Sequence, residues 1–204
     1  MDVQKKTEER WDTIILVRHG KPTLSRKVRL TWQEFRDWWV LYDQGGINLD
    51  QKVPKKVKEW AGRADLIVSS PLRRAVESAT LAAGRDPDET MPELIEAALP
   101  SPPLGPIKFG PKSWGTVARI LWYIGYSDGM ENHRDARARA NLASELLAEK
   151  ADGGKVIYVS GHGWFNRMVK GSLTARGWRC KSQNGDLHWS RRRMVRPTKH
   201  KDAA

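Results

Sequence analysis

A chain of 204 residues, 39% apolar and 29% charged, has the length and balance of one soluble domain with a sizeable core. Its net charge of +12 favours an anionic partner, whether phosphorylated metabolite, nucleic acid or membrane surface, although much of that charge is read as solvated surface. The single cysteine, Cys180, excludes an internal disulfide framework and a cysteine-rich metal site. The stretch Met1 to Trp11 is charged and lacks an apolar signal region, and no later stretch approaches the roughly 18 apolar residues of a membrane span. The expectation is a cytoplasmic protein with no membrane partner.

Thr13-Ile14-Ile15-Leu16-Val17 is an apolar run of strand length, and Arg18-His19-Gly20 follows directly at its end. From Thr31 to Asp43, Trp32, Phe35, Trp38, Trp39 and Tyr42 recur at helical spacing; Thr31 and Glu34 are spaced for a capping box, and Gly45-Gly46 is the stop. This aromatic stripe is read as packing against a sheet, with room for one or two rings to border a pocket. A short helix from Pro54 to Gly62 carries Val57 and Trp60, and Leu66-Ile67-Val68 is the next strand. Ser69-Ser70-Pro71-Leu72-Arg73-Arg74-Ala75 then turns into a helix running to about Gly84, with serine as the cap. Unpaired N–H groups at such a helix start let Arg73 or Arg74 join an anion site, although either arginine read alone fits a surface position better.

Residues 85–129 are rich in proline and glycine and hold a helix after Ser113 with Trp114, Val117, Ile120, Leu121 and Ile124 on one face. An excursion of this kind on an α/β scaffold reads as a small lid that carries selectivity. A helix from about Asn132 to Lys150, the strand Val156-Ile157-Tyr158-Val159, the turn Ser160-Gly161-His162-Gly163 and a helix from Trp164 to about Lys170 follow. Residues 191–204, with Arg191, Arg192, Arg193, Arg196, Lys199 and Lys201, read as a partly disordered basic tail. The expected fold is a single α/β domain over 1–204, a three-layer α/β/α sandwich with a largely parallel central sheet.

In such a sheet, residues leaving the carboxyl ends of strands project into the ligand crevice, so His19 and His162 can share one pocket. An imidazole flanked by arginine there suggests phosphoryl chemistry. Guanidinium forks match phosphate oxygens, and neutral imidazole is a competent nucleophile near neutral pH.

Arg18-His19-Gly20, Ser69-Ser70-Pro71-Leu72-Arg73-Arg74-Ala75 and Gly161-His162-Gly163, in this order and each after a strand, resemble the histidine phosphatase superfamily, the phosphoglycerate-mutase-like proteins of branch 1. The resemblance implies His19 as nucleophile forming a phosphohistidine, Arg18 and Arg74 as phosphate-gripping arginines, and His162 with Gly163 completing the phosphate site. No metal or other cofactor is implied, because fixed cations already stabilise the equatorial phosphoryl oxygens. The general acid in this branch follows a short apolar pair after the arginine helix, which in Met91-Pro92-Glu93-Leu94-Ile95-Glu96 points to Glu96, with Glu93 as competitor.

The chain departs from the family pattern at Lys21-Pro22-Thr23, where a hydroxyl contact to phosphate is either lost or supplied by Thr23, and at Trp164, which narrows the pocket or stacks on a substrate ring. His133, His188 and His200 lack motif context and read as surface or packing residues. The implied activity is metal-independent hydrolysis of a phosphomonoester, with a small phosphorylated metabolite or a phosphoprotein as substrate. A phosphoglycerate-mutase-like phosphotransferase is the first alternative; a non-catalytic nucleic-acid-binding or regulatory protein on the same fold is the second, although nucleic acid is not the expected partner. Substrate identity and oligomeric state stay open.

Overall fold

The computed structural model describes residues 10–198. Most of the charged start of the chain, and Lys199, His200 and Lys201, lie outside the described residues. The six strands are β1 (Trp11–Arg18), β2 (Leu66–Ser69), β3 (Glu89–Thr90), β4 (Val156–Gly161), β5 (Arg179–Asn184) and β6 (Arg191–Pro197). The six helices are α1 (Trp32–Gln44), α2 (Lys55–Gly62), α3 (Arg73–Ala83), α4 (Pro111–Tyr123), α5 (His133–Lys150) and α6 (Gly163–Ala175).

The strands form one sheet in the order β3-β2-β4-β1-β6-β5. Neighbours from β3 through β1 pair in parallel, and β6 runs antiparallel between β1 and β5. Alternation along β1 sorts its side chains to two faces. Ile14 and Leu16 pack with Ala140, Leu147, Phe165 and Val169 of α5 and α6, whereas Ile15 and Val17 pack with Val57, Ala61 and Ala79 of α2 and α3. Helices therefore cover both faces, which is the three-layer α/β/α arrangement expected.

Two helices behave differently from their sequence reading. The capping box of α1 forms, with Thr31 accepting from the Glu34 N–H and Glu34 accepting from the Thr31 N–H. Its aromatic stripe, however, packs on α4 and not on the sheet: Phe35, Trp38 and Tyr42 join Leu99, Trp114 and Ala118 in a third, separate core. On α4 the buried face is Trp114, Ala118 and Trp122, and Ile120 and Ile124 are exposed. Spacing by four through two large rings outcompetes the smaller aliphatic stripe, because the rings remove more apolar area from water.

The basic tail is corrected over residues 191–197. Arg191–Pro197 is β6, pairing with the central strand β1 along its whole length. Met194 and Val195 enter the core, while Arg192 and Arg196 reach the carboxylates of Asp186 and Asp12. Buried Asp12 also accepts from the Gly154 N–H at 2.9 Å and the Thr198 hydroxyl at 2.9 Å. Arg192 and Arg196 are thus partnered and buried or half-buried, whereas Arg193 stays exposed, and the exposed, cationic β5 blunts the open edge of the sheet.

Candidate active site

The parallel strands β1, β2 and β4 end on the same side of the sheet, and there Arg18, His19, Ser70 and His162 converge. His19 is 2% exposed and its N–H bonds the Gly161 carbonyl at 2.9 Å, which ties the first motif to the third. Its ring centroid lies 5.4 Å from that of His162. Nδ1 of His19 lies 2.8 Å from the Gly20 carbonyl oxygen. A carbonyl only accepts, so Nδ1 carries the proton and Nε2 keeps its lone pair. Nε2 has no hydrogen-bond partner among the described residues. Gly20 must be glycine here, because a β-carbon would come within 2.7 Å of Gln51 and Trp189.

The two arginines are fixed from behind. Arg74, in the first turn of α3, is fully buried; Nη2 pairs with Asp43 at 2.9 Å, Nη1 donates to the Tyr42 carbonyl at 3.1 Å, and the guanidinium lies 4.7 Å from the Tyr42 ring centroid. Burial raises the Asp43 pKa against the opposing pull of Arg74. Arg18 donates from Nη1 to the Asp186 carbonyl at 2.6 Å and lies across Gly163, where a β-carbon would approach its Nε to 3.0 Å. That contact gives Gly163 a steric role beside any phosphate contact. Nε of both arginines is buried without a partner, as is Nδ1 of His162, whose Nε2 bonds the Ser70 hydroxyl at 2.8 Å. The Ser70 hydroxyl thus bonds His162, with only a 3.4 Å contact from the Leu72 N–H, and α3 starts at Arg73 with Leu72 in the cap position and no side-chain cap bond.

Burial first, then the neighbouring cations, push the imidazoles toward the neutral form. His19 is held well below its ordinary value by desolvation, then His162, Arg74 and Arg18. His162 is lowered by desolvation, then Arg74, Arg18 and Arg139. Desolvation likewise lowers Arg18.

A cleft of about 590 Å³ opens in front of this group, lined by Arg18, Glu96, Gly163, Trp164 and His188 among others. Glu96 sits at the start of α6, its Oε1 accepting from the N–H of Phe165 at 2.8 Å and of Ala97 at 3.1 Å, its Oε2 from that of Trp164 at 3.3 Å. Glu93 does not line the cleft; its backbone carbonyl accepts from Arg139. Thr23 is spent on the Gly46 carbonyl at 3.3 Å, so it does not replace the absent hydroxyl. Arg73 points away, exposed and paired with Glu77 at 2.6 Å.

His188 is the residue that motif reading missed. Because β6 starts beside the end of β1, the preceding loop returns to the site, and the His188 ring lies 5.9 Å from His19. Desolvation, then Arg18, Arg26 and Lys21, lower it to about 4, and its Nε2 is buried without a partner. Trp189, at φ 60°, and the pairing of Asp186 with Arg167 and Arg192 hold this loop in place. No local signal marks His188, since its position depends on strand pairing. His133 does pack as expected, its ring 5.0 Å from Trp122. Among the described residues no group of three or more His, Cys, Asp or Glu could hold a metal ion.

A sequence model of the histidine phosphatase superfamily (branch 1) matches residues 14–193, a span that includes all three motifs. The chain belongs to that superfamily. Similar folds include a mycobacterial hydrolase (TM-score 0.59, 19% identity, covering 94% of this chain and 84% of the other). A phosphoserine phosphatase from Entamoeba histolytica, solved with 3-phosphoglyceric acid, is similar at TM-score 0.50 and 15% identity, covering 92% and 95%. The ecdysone phosphate phosphatase of Bombix mori, solved with tungstate, is similar at TM-score 0.51 and 14% identity, covering 88% and 82%. No curated protein matches the chain.

Proposed function

We propose that the protein is a phosphatase that hydrolyses a phosphomonoester through a phosphohistidine on His19, without a metal. One observation carries this reading: a neutral imidazole with a free Nε2 lone pair neighbours His162, Arg18 and Arg74, whose arginine Nε atoms are buried without partners. Buried polar groups without partners are rare, and unengaged donors beside the imidazole suit an anion whose charge spreads over three oxygens. The structural relatives named as phosphatases fit this reading. In the first step Nε2 attacks phosphorus, the ester P–O bond breaks, and the leaving oxygen takes a proton from Glu96 at the cleft wall. Water then attacks phosphorus, the P–N bond breaks, its proton returns to Glu96, and inorganic phosphate departs. Water is the acceptor in this reading because the excursion contributes only α4 with Glu96 and Leu99 to the cleft lining, which is little to retain an organic product for rephosphorylation.

The test is a rapid acid-or-base quench with ³²P-labelled substrate. Wild-type protein should give an enzyme-bound phosphate that is acid-labile and base-stable, and His19→Ala should give none, with turnover reduced by at least about a thousandfold. Phosphate release by His19→Ala at the wild-type rate overturns the reading.

A further inference from the structure

We infer that the cleft in front of the histidines selects a small phosphomonoester with an apolar, ring-containing body. The inference rests on the phosphatase reading for the phosphate end and on the cleft walls for the rest. The exposed side of α4 that carries Ile120 and Ile124 is the starting point. Ile120 and Tyr123 stand three residues apart on it, 59% and 50% exposed, and both line the cleft. Because Trp114 and Trp122 anchor the opposite face of α4 without exposure, this wall is rigid. Trp164 and Leu187 also line the cleft, the latter 77% exposed. The Trp164 ring is fixed between the guanidiniums of Arg119 at 5.0 Å and Arg167 at 4.9 Å, with Tyr123 edge-on at 5.9 Å.

Four large apolar side chains around one opening are an unusual use of surface, and they mark a ligand that removes them from water. Charge adds the second requirement. Arg18, Arg26, Lys112, Arg119 and Arg167 line the cleft against only Glu96 and Asp186, and Asp186 is already paired with Arg167 and Arg192. The ligand is thus anionic at the histidine end and apolar along its body. A compact polar phosphate would fill little of the 590 Å³ and leave the walls wet. His19 and His162 do not line the cleft and are 2% and 0% exposed, which favours a slender small ester over a phosphate on a protein surface.

Three primary alkyl phosphates with similar leaving groups test this: glycerol 3-phosphate, 2-(1-naphthyl)ethyl phosphate and a phosphoserine-containing heptapeptide. The naphthylethyl ester should exceed both others in kcat/KM by about tenfold or more, the scale of apolar pocket discrimination. In the double variant Ile120→Ser, Leu187→Ser, both exposed positions, that ratio should fall to near parity, with the melting temperature checked for an intact fold. Binding of 2-(1-naphthyl)ethylphosphonate, measured calorimetrically, reads the cleft without turnover. Higher kcat/KM for glycerol 3-phosphate or the peptide, or an unchanged ratio in the variant, overturns the inference and leaves the phosphatase standing. Phosphonate binding that depends on Ile120 and Leu187, with no phosphate released from any ester, overturns the phosphatase reading and leaves the cleft assignment standing.

Discussion

At the scale of single residues, the site is organised by hydrogen bonds that leave selected atoms unengaged. Glu96 illustrates the point, since both of its oxygens face backbone N–H groups at the start of α6, Oε1 at 2.8 Å from Phe165 N and Oε2 at 3.3 Å from Trp164 N. Replacing it by glutamine keeps the shape and removes the proton. Hydrolysis of an alkyl phosphate by Glu96→Gln should drop by roughly a hundredfold, while an aryl phosphate with an activated phenolate should lose little. Glu93→Gln should behave as wild type on both; equal losses on both substrates in Glu96→Gln move the proton to another group.

The buried imidazoles also make stability depend on pH in a definite direction. His188 titrates at about 4 in the fold against an ordinary 6.5, and His19 and His162 are shifted the same way, so the unfolded chain binds protons that the native chain does not. Stability is therefore fully present above 6.5 and falls as pH drops toward 4. His188→Asn should flatten part of that slope in thermal melts between these two values. An identical slope in wild type and variant contradicts the shifted titration.

At the scale of elements, β6 decides more than its composition suggests. It pairs with β1 from Trp11 to Val17, and its Arg196 bonds Asp12 Oδ2 at 2.7 Å. Truncation after Ser190, which would spare a merely cationic tail, should instead abolish cooperative unfolding, because it strips a central strand and exposes Met194 and Val195 partners. A milder probe is Asp12→Ala. Loss of this buried carboxylate leaves Arg196 only the 3.7 Å contact with Asp152 and takes the acceptor from the Gly154 N–H and the Thr198 hydroxyl, and should cost about 3 kcal/mol in denaturant unfolding, by analogy with other broken buried pairs. A change under about 1 kcal/mol, the range of surface pairs, would place Asp12 outside the core network.

At the scale of the whole molecule, the net charge of +12 is distributed unevenly between structural and ligand-facing roles. Arg192 and Arg196 are tied to carboxylates, whereas Arg26 and Lys112 line the cleft with no carboxylate partner among the described residues. An anionic substrate should be steered toward the cleft, so kcat/KM should fall severalfold between about 0.01 M and 0.15 M salt, as the screening length shrinks from about 30 to 8 Å. kcat should change little; a matching fall in kcat would indicate that salt acts on the chemical step instead.

Sequence alone determined what is local. The apolar runs of β1, β2 and β4, the capping box of α1 and the start of α5 at Asn132 are legible because each depends on neighbours a few residues away. The three motifs at strand ends named the family and brought His19, Arg18, Arg74 and His162 together on paper, since parallel strands must end on one side. Tertiary structure decided the rest. Whether Arg191–Pro197 is a tail or a strand depends on β1 and its Asp12, which are remote in sequence and supply the ladder hydrogen bonds and a charge its arginines need. Which face of α4 is buried depends on the aromatic stripe of α1, and whether His188 faces solvent or His19 depends on the register of β6. Each is a choice between local alternatives of similar energy, settled by long-range packing that no window of the chain contains.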